Sequence, residues 1–228
     1  MKFRLINEIV PAVEVCYEQQ GEEMITQSGG MAWMTDGIDL QTDTNGGFMA
    51  GLGRMFAGET IFMNHYRALR PGAIISFAAT VPGKVVPIQM KNHPMGLTCQ
   101  KGAFLCSQST VKLEVTFTRK LGSGLFGGEG FILEKLTGTG TAFLEVDGGA
   151  VEKELGPGEI IKVDTGNVVA FESGMPYEIE TVHGFKNVLF GGEGLFLTRI
   201  TGPGKVILQT QNINDFAGKL SKMISPSH

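Results

Sequence analysis

Phe126-Gly127-Gly128-Glu129-Gly130-Phe131-Ile132 occurs three times along the chain in related form. The other two versions are Phe56-Ala57-Gly58-Glu59-Thr60-Ile61-Phe62 and Phe190-Gly191-Gly192-Glu193-Gly194-Leu195-Phe196. Glu59, Glu129 and Glu193 therefore follow one another at 70 and then 64 residues. Gly30, Gly102 and Gly166 follow nearly the same steps, 72 and 64. Each opens a short apolar segment: Ala32-Trp33-Met34, Ala103-Phe104-Leu105 and Val168-Val169-Ala170. A third landmark begins each unit, at Val13-Glu14-Val15, Val86-Pro87-Ile88 and Val151-Glu152-Lys153. Three landmarks in one register indicate a triplicated unit rather than chance similarity among glycine-rich turns. The expected boundaries are 1–79, 80–146 and 147–212, with a tail over 213–228.

Each unit reads as β. Short alternating or continuous apolar runs, such as Ala73-Ile74-Ile75-Ser76-Phe77 and Val111-Lys112-Leu113-Glu114-Val115-Thr116-Phe117, are strand-like. Lys205-Val206-Ile207-Leu208 is a third example. Turn chemistry separates them at Arg70-Pro71-Gly72, Val81-Pro82-Gly83, Gly138-Thr139-Gly140, Gly156-Pro157-Gly158 and Gly202-Pro203-Gly204. The expected fold is all-β: strands at this spacing indicate a sandwich or a barrel in each unit, and a short helix follows at the C-terminus. That helix is read from Ile213, Phe216, Ala217, Leu220, Met223 and Ile224, which share one helical face. Asn212, Asn214 and Asp215 supply N-cap chemistry, and Pro226 ends the run. The expected place for the apolar face is the protein's own β core or a neighbouring subunit, ahead of a membrane surface.

Composition narrows the function classes. Glycine makes up 33 of 228 residues, about twice the usual share of about 7%. Nineteen basic against 23 acidic residues leave a net charge of −4, and only 18% of residues are charged. The apolar content of 42% excludes a disordered chain. The glycines have no three-residue period, which excludes collagen. The charge balance gives no support to a nucleic-acid partner. Cys16, Cys99 and Cys106 are odd in number and without a Cys-x-x-Cys, so no disulfide framework is indicated and a reducing cytoplasm is expected. The first residues lack a signal-peptide run. The longest stretch free of charge, Pro71–Gly83, spans 13 residues, short of the roughly 20 a membrane helix needs.

Gly124-Leu125-Phe126-Gly127-Gly128-Glu129-Gly130-Phe131, followed by Leu136-Thr137-Gly138-Thr139-Gly140, resembles the altered-inheritance-of-mitochondria family, a bacterial domain of unknown function. The resemblance continues through Leu155-Gly156-Pro157-Gly158-Glu159 and Val163–Glu172. In the first unit it includes Gly51–Phe56 and Gly58–Asn64, so that it covers most of residues 10–210. It implies a fold similar to the tryptophan-RNA-binding attenuation protein, built of small β-sandwich units related to the double-stranded β-helix. The resemblance thus implies three tandem β-sandwich or double-stranded β-helix-like repeats per chain in a pseudo-threefold arrangement, and chains assembling as trimers would close a ring. No catalytic residue carries over from the family. Its fungal mitochondrial members are linked to inner-membrane organisation. No transit peptide is expected from the first residues, so the fold alone is expected to transfer.

Several residues are candidates for a site. Glu59, Glu129 and Glu193 either converge on a hard cation or cationic ligand, or accept backbone N–H bonds within their own turns, the simpler role. His65, His93 and His183 are metal-ligand candidates, although no cupin-like His-x-His motif precedes a spaced glutamate. Gly51, Gly53 and Arg54 form either an anion-binding nest or a connection between sheets. Nine of the eleven methionines lie within the first 95 residues. With Trp33, Phe48, Phe56 and Phe62 they are read as core filler of the first unit, with a contact surface as the alternative. Cys99 and Cys106 read as structural thiols, because nothing near them in sequence supplies a base.

The leading expectation is a non-enzymatic oligomeric β scaffold or binding module that needs no cofactor. A homo-oligomer, preferably a trimer, is the expected partner arrangement. A separate protein partner and peripheral membrane contact stay open. One alternative is a cupin-like metal- or small-molecule-dependent enzyme, motivated by His65, His93 and the glutamates. Another is RNA binding through a patch of Lys84, Lys91 and Lys101, which the overall charge opposes.

Overall fold

The structure is a computed structural model, and it describes residues 1–27, 29–44, 62–119, 131–181 and 196–224. Alternation and turn chemistry divide the first part of the chain into β1 (Lys2–Ile6), β2 (Ala12–Cys16), β3 (Glu23–Thr26), β4 (Met31–Met34), β5 (Ile38–Thr44), β6 (Phe62–Ala68) and β7 (Ile74–Ala78). The middle part forms β8 (Gly83–Gln89), β9 (Leu97–Gln100), β10 (Phe104–Gln108), β11 (Val111–Arg119), β12 (Phe131–Gly138) and β13 (Thr141–Asp147). The last part forms β14 (Ala150–Leu155), β15 (Ile160–Asp164), β16 (Val168–Glu172), β17 (Tyr177–Thr181), β18 (Phe196–Thr201), β19 (Gly204–Gln209) and α1 (Ile213–Ile224). Among the described residues the protein is thus all-β with one short C-terminal helix, as its turn-punctuated pattern predicts.

The strands form four sheets. Their orders are β1-β2-β7-β4, β5-β6-β3-β10-β13-β8, β11-β12-β9-β16-β19-β14 and β15-β18-β17. The third order is the second with six added to every label. The first sheet contains β2-β7-β4, which is β8-β13-β10 with six subtracted. The fourth is β5-β6-β3 with twelve added, read from the other end. Side-chain registers follow the same offsets. Val13, Val86 and Val151 face Phe77, Leu144 and Leu208, and Val15, Ile88 and Lys153 face Ile75, Ala142 and Val206. Pro87 sits on β8, an edge strand of its sheet, where a missing N–H is tolerated.

Three cores lie between successive sheets. Val13, Val15, Ile75 and Phe77 of the first sheet pack with Met24, Tyr66 and Phe143 of the second. The opposite side of the second sheet sends Ile25, Met63, Phe104 and Leu144 against Leu97, Leu113 and Leu136 of the third. Phe131, Leu133, Phe171 and Val206 of the third sheet then meet Val163, Ile200 and Tyr177 of the fourth. The middle sheets are therefore apolar on both faces, which explains continuous runs such as Phe131-Ile132-Leu133 where a half-solvated strand would alternate.

The methionines divide between core and surface. Met24, Met63 and Met90 are buried, whereas Met34 and Met95 are exposed with Trp33. Met49, Met55, Phe48 and Phe56 lie outside the described residues, as does the side chain of Phe62.

Of the two places expected for the helix, the β core of its own chain is not the one it occupies. Asn212 caps it: its Oδ1 accepts the Asn214 N–H at 3.0 Å, and its carbonyl accepts the Phe216 N–H at 3.0 Å. Asp147 Oδ2 accepts the Ile213 N–H at 3.0 Å and ties this end to β13. Beyond the first turn the expected seat on the β core does not form. Phe216, Leu220, Met223 and Ile224 are exposed, so within one chain this face has no cover. No helix among the described residues is long and apolar enough to cross a membrane.

Candidate functional site

The candidate residues fall into two groups. Glu59, Glu129, Glu193, Gly51, Gly53, Arg54 and His183 lie outside the described residues. His65 and His93 are placed. His65 Nδ1 lies 2.6 Å from Glu23 Oε1 across the β3–β6 pair. His93 Nδ1 lies 3.6 Å from Glu172 Oε1, near the end of β16. Each described histidine thus faces its own carboxylate. Among the described residues no group of three or more His, Cys, Asp or Glu side chains is arranged to hold a metal ion. Cys99 and Cys106 are fully buried, and burial pushes both thiols well above their usual range. Such thiols are poor nucleophiles.

A cleft of about 280 Å³ opens beside the helix cap. Thr80, Gln100, Glu145, Asp147, Gln209 and Asn212 contribute its polar lining. Glu145 accepts the Thr80 N–H at 2.7 Å and the Thr80 hydroxyl at 3.3 Å. Burial raises the carboxyls of Glu145 and Asp147 above their ordinary values, against the lowering effect of these backbone bonds. Gln209 is also committed: its amide donates to the Gly166 carbonyl at 2.8 Å, and its Oε1 accepts the Asp147 N–H at 3.0 Å. The cleft is a hydrogen-bonded joint that pins the β7–β8 connection and the helix start to β13. Sequence reading missed Glu145 and Asp147, because an acidic residue alternating along a strand looks like any solvated position. Only Asn212 had a local signal, its cap chemistry.

The ends of the sheet array form a different kind of surface. In the two six-stranded sheets, β3 pairs β10 and β9 pairs β16. The corresponding strands of the outer sheets, β4 and β15, each have a single neighbour among the described residues. Trp33 (47% exposed), Met34 (39%) and Ile160 (46%) stand on these two edges. An apolar edge strand offers unpaired backbone N–H and C=O groups together with sticky side chains.

Stacked antiparallel sheets, two fully buried thiols and a cleft whose polar groups are committed to structural bonds define a β-structural protein. Residues 3–211 match the family described as mitochondrial biogenesis AIM24, and the chain belongs to that family. It is 29% identical over 225 residues to an uncharacterised protein of Streptococcus pyogenes serotype M6, covering 95% of this chain and 88% of the relative. It is also similar to an X-ray crystal structure of another Streptococcus pyogenes protein, with a TM-score of 0.77 at 25% identity over 98% of this chain and 99% of that one.

Proposed function

We propose that this chain is a non-enzymatic β scaffold or binding module, made of three tandem six-strand units and working as a homo-oligomer, a trimer in the simplest form. The observation that carries this reading is the strand order. Two complete six-stranded sheets repeat at an offset of six labels, and the outer sheets supply the two halves that such a series leaves over. The landmark valines at positions 13, 86 and 151 occupy matching registers, which supports the same unit boundaries. The reading includes the attenuation-protein-like architecture and the pseudo-threefold relation of the units. Repeat arrays present extended surfaces and need their end units protected, which an oligomer provides. Three free cysteines suit a reducing compartment such as the cytoplasm. No observation among the described residues favours the cupin-like or RNA-binding alternatives.

Native mass spectrometry of the untagged protein, in gentle buffer without chelator, tests the proposal. The expected result is a discrete oligomer of bare chains, three by preference. A monomer at micromolar concentration overturns the scaffold reading, and a stoichiometric bound metal or small molecule turns it toward an enzyme.

A further inference from the structure

We infer that the cleft beside the helix cap binds an alkyl ammonium group, held between the Glu145 carboxylate, the Gly102 carbonyl and Asp147. A free polyamine and the lysine side chain of a peptide both carry that group. The inference rests on the binding-module half of the reading above, gives it a ligand class, and is independent of how many chains assemble.

One position differs between matching parts of the chain. Ala142 and Leu144 of β13 face Ile88 and Val86, as Val206 and Leu208 of β19 face Lys153 and Val151. The two strands therefore match at a step of 64 residues, the step that also separates Gly102 from Gly166. Both glycines sit in short 3-10 turns, over Lys101–Ala103 and Thr165–Asn167. Glu145 thus matches Gln209. On β7, Ile75 and Phe77 face Val15 and Val13, so Ala78 matches Glu145 and Thr80 matches Asp147.

The hydrogen bonds at these positions show what the cleft lacks. Gln209 Oε1 accepts the Asp147 N–H at 3.0 Å, and its amide donates to the Gly166 carbonyl at 2.8 Å. Glu145 repeats the first bond, accepting the Thr80 N–H at 2.7 Å. It does not repeat the second, because an ionised carboxylate has no hydrogen to donate. At the third match, the Ala78 backbone N–H donates to the Gly30 carbonyl at 3.2 Å. The landmark carbonyl therefore receives a hydrogen at Gly30 and at Gly166. At Gly102 it shares the cleft with a carboxylate instead.

The space beside Gly102 is also particular to this copy of the motif. A Cβ at Gly166 would run into the Asn212 amide, whereas one at Gly102 meets nothing within 4 Å. At the same step of 64, Asn212 is matched by Gly148, which has no side chain to fill the place. The result is the opening of about 280 Å³. Thr80 occupies two of the roughly four acceptor positions on Glu145, and the Ile213 N–H takes Asp147 Oδ2. Burial raises both carboxyls, and no basic side chain acts to lower them. An ammonium brings three N–H donors and the missing positive charge. Val81, Ala103 and Ile213 line the rest of the cleft and suit a methylene chain. No three metal-ligating side chains converge among the described residues, which puts an organic cation ahead of a metal ion.

Titration followed by amide NMR tests the inference. The probes are cadaverine and Nα-acetyl-lysine methylamide, with pentanediol as the neutral match in length. At least one amine is expected to saturate one site per chain, with shifts confined to residues 80–81, 100–103, 145–147 and 209–214, and the diol to leave them unmoved. Saturation by cadaverine alone marks a free polyamine as the source, and by the lysine compound alone a peptide. Equal affinity shows that the ammonium group is all that is recognised. Glu145→Gln supplies the hydrogen as Gln209 does. It is expected to keep or raise the melting temperature while weakening the amine by at least about tenfold, the usual worth of a hydrogen bond to a charged group. Gly102→Leu fills the cleft from a position with room for a side chain, and is expected to abolish the shifts in a folded protein. Shifts that the diol reproduces, or undiminished amine affinity in either folded variant, overturn the inference. So does the absence of saturation by either amine at millimolar concentration, a result that leaves the oligomeric scaffold standing.

Discussion

Glu145 is where single-residue chemistry is most exposed to test. Its carboxyl is partly buried beside Asp147, and burial raises its affinity for a proton above that of the unfolded chain. The native state therefore binds the proton more tightly than the unfolded state over the window from the ordinary glutamate range up to the native value. Its contribution to stability falls as pH rises through that window. Glu145→Gln removes the ionisation while leaving an oxygen to accept the Thr80 N–H. The variant is expected to melt at the same or a higher temperature than the native protein at pH 7, with the difference vanishing below about pH 4, near the ordinary glutamate range. Melting curves across pH 3–8 check this. A variant less stable at pH 7 than at pH 4, relative to native, contradicts it.

Two landmark glycines at this scale have a packing reason and the third does not. A Cβ at Gly166 would run into the Asn212 side chain, and one at Gly30 into the Thr26 hydroxyl, while Gly102 has open space. The sequence shows three equivalent glycines. It does not show which of them the tertiary structure requires.

At the scale of elements, strands and turns were largely legible. Ala73–Phe77, Val111–Phe117 and Lys205–Leu208 fall on β7, β11 and β19. Gly138, the last residue of β12, and Gly140, in the β12–β13 connection, both adopt φ of 97°, the left-handed backbone that the Gly-Thr-Gly turn predicts. The helix was legible in extent and cap but not in placement. Periodicity reports an apolar face and says nothing of what lies opposite. Asn212→Ala should cost about 1 kcal/mol through loss of the cap. Because α1 hangs from the sheets by its first turn, that loss is expected as fraying of the helix. Faster amide exchange over 213–224, with the sheet amides unchanged, is the readout. Unchanged exchange in the helix would show that Asp147 alone suffices to hold it.

At the scale of the molecule, three apolar layers lie between four sheets among the described residues. Phe143 belongs to the layer between the first two, 1% exposed, with the Phe3 ring edge-on at 4.9 Å between centroids. It pairs across to Cys106 and Pro87, so it bridges strands that are distant in sequence. Phe143→Ala is expected to lower stability by about 3–5 kcal/mol, the usual cost of emptying a buried aromatic site. Urea unfolding measures it. A loss below about 1 kcal/mol would mean that the layer collapses around the gap.

The β class, the turns, the landmark spacing and the C-terminal helix were determined by the sequence alone, because each depends on neighbours within a few residues: alternation, turn chemistry, a cap. The tertiary structure decided the rest. The pairing of β3 with β10 joins residues about eighty positions apart, and no local pattern records it. Nor does the sequence separate Trp33 from Cys106: both follow a glycine in an apolar run, yet one is half exposed and the other sealed. The difference arises because β10 has a second strand neighbour and β4 has none among the described residues. Burial is a property of what packs opposite, and that is settled only when the chain has folded.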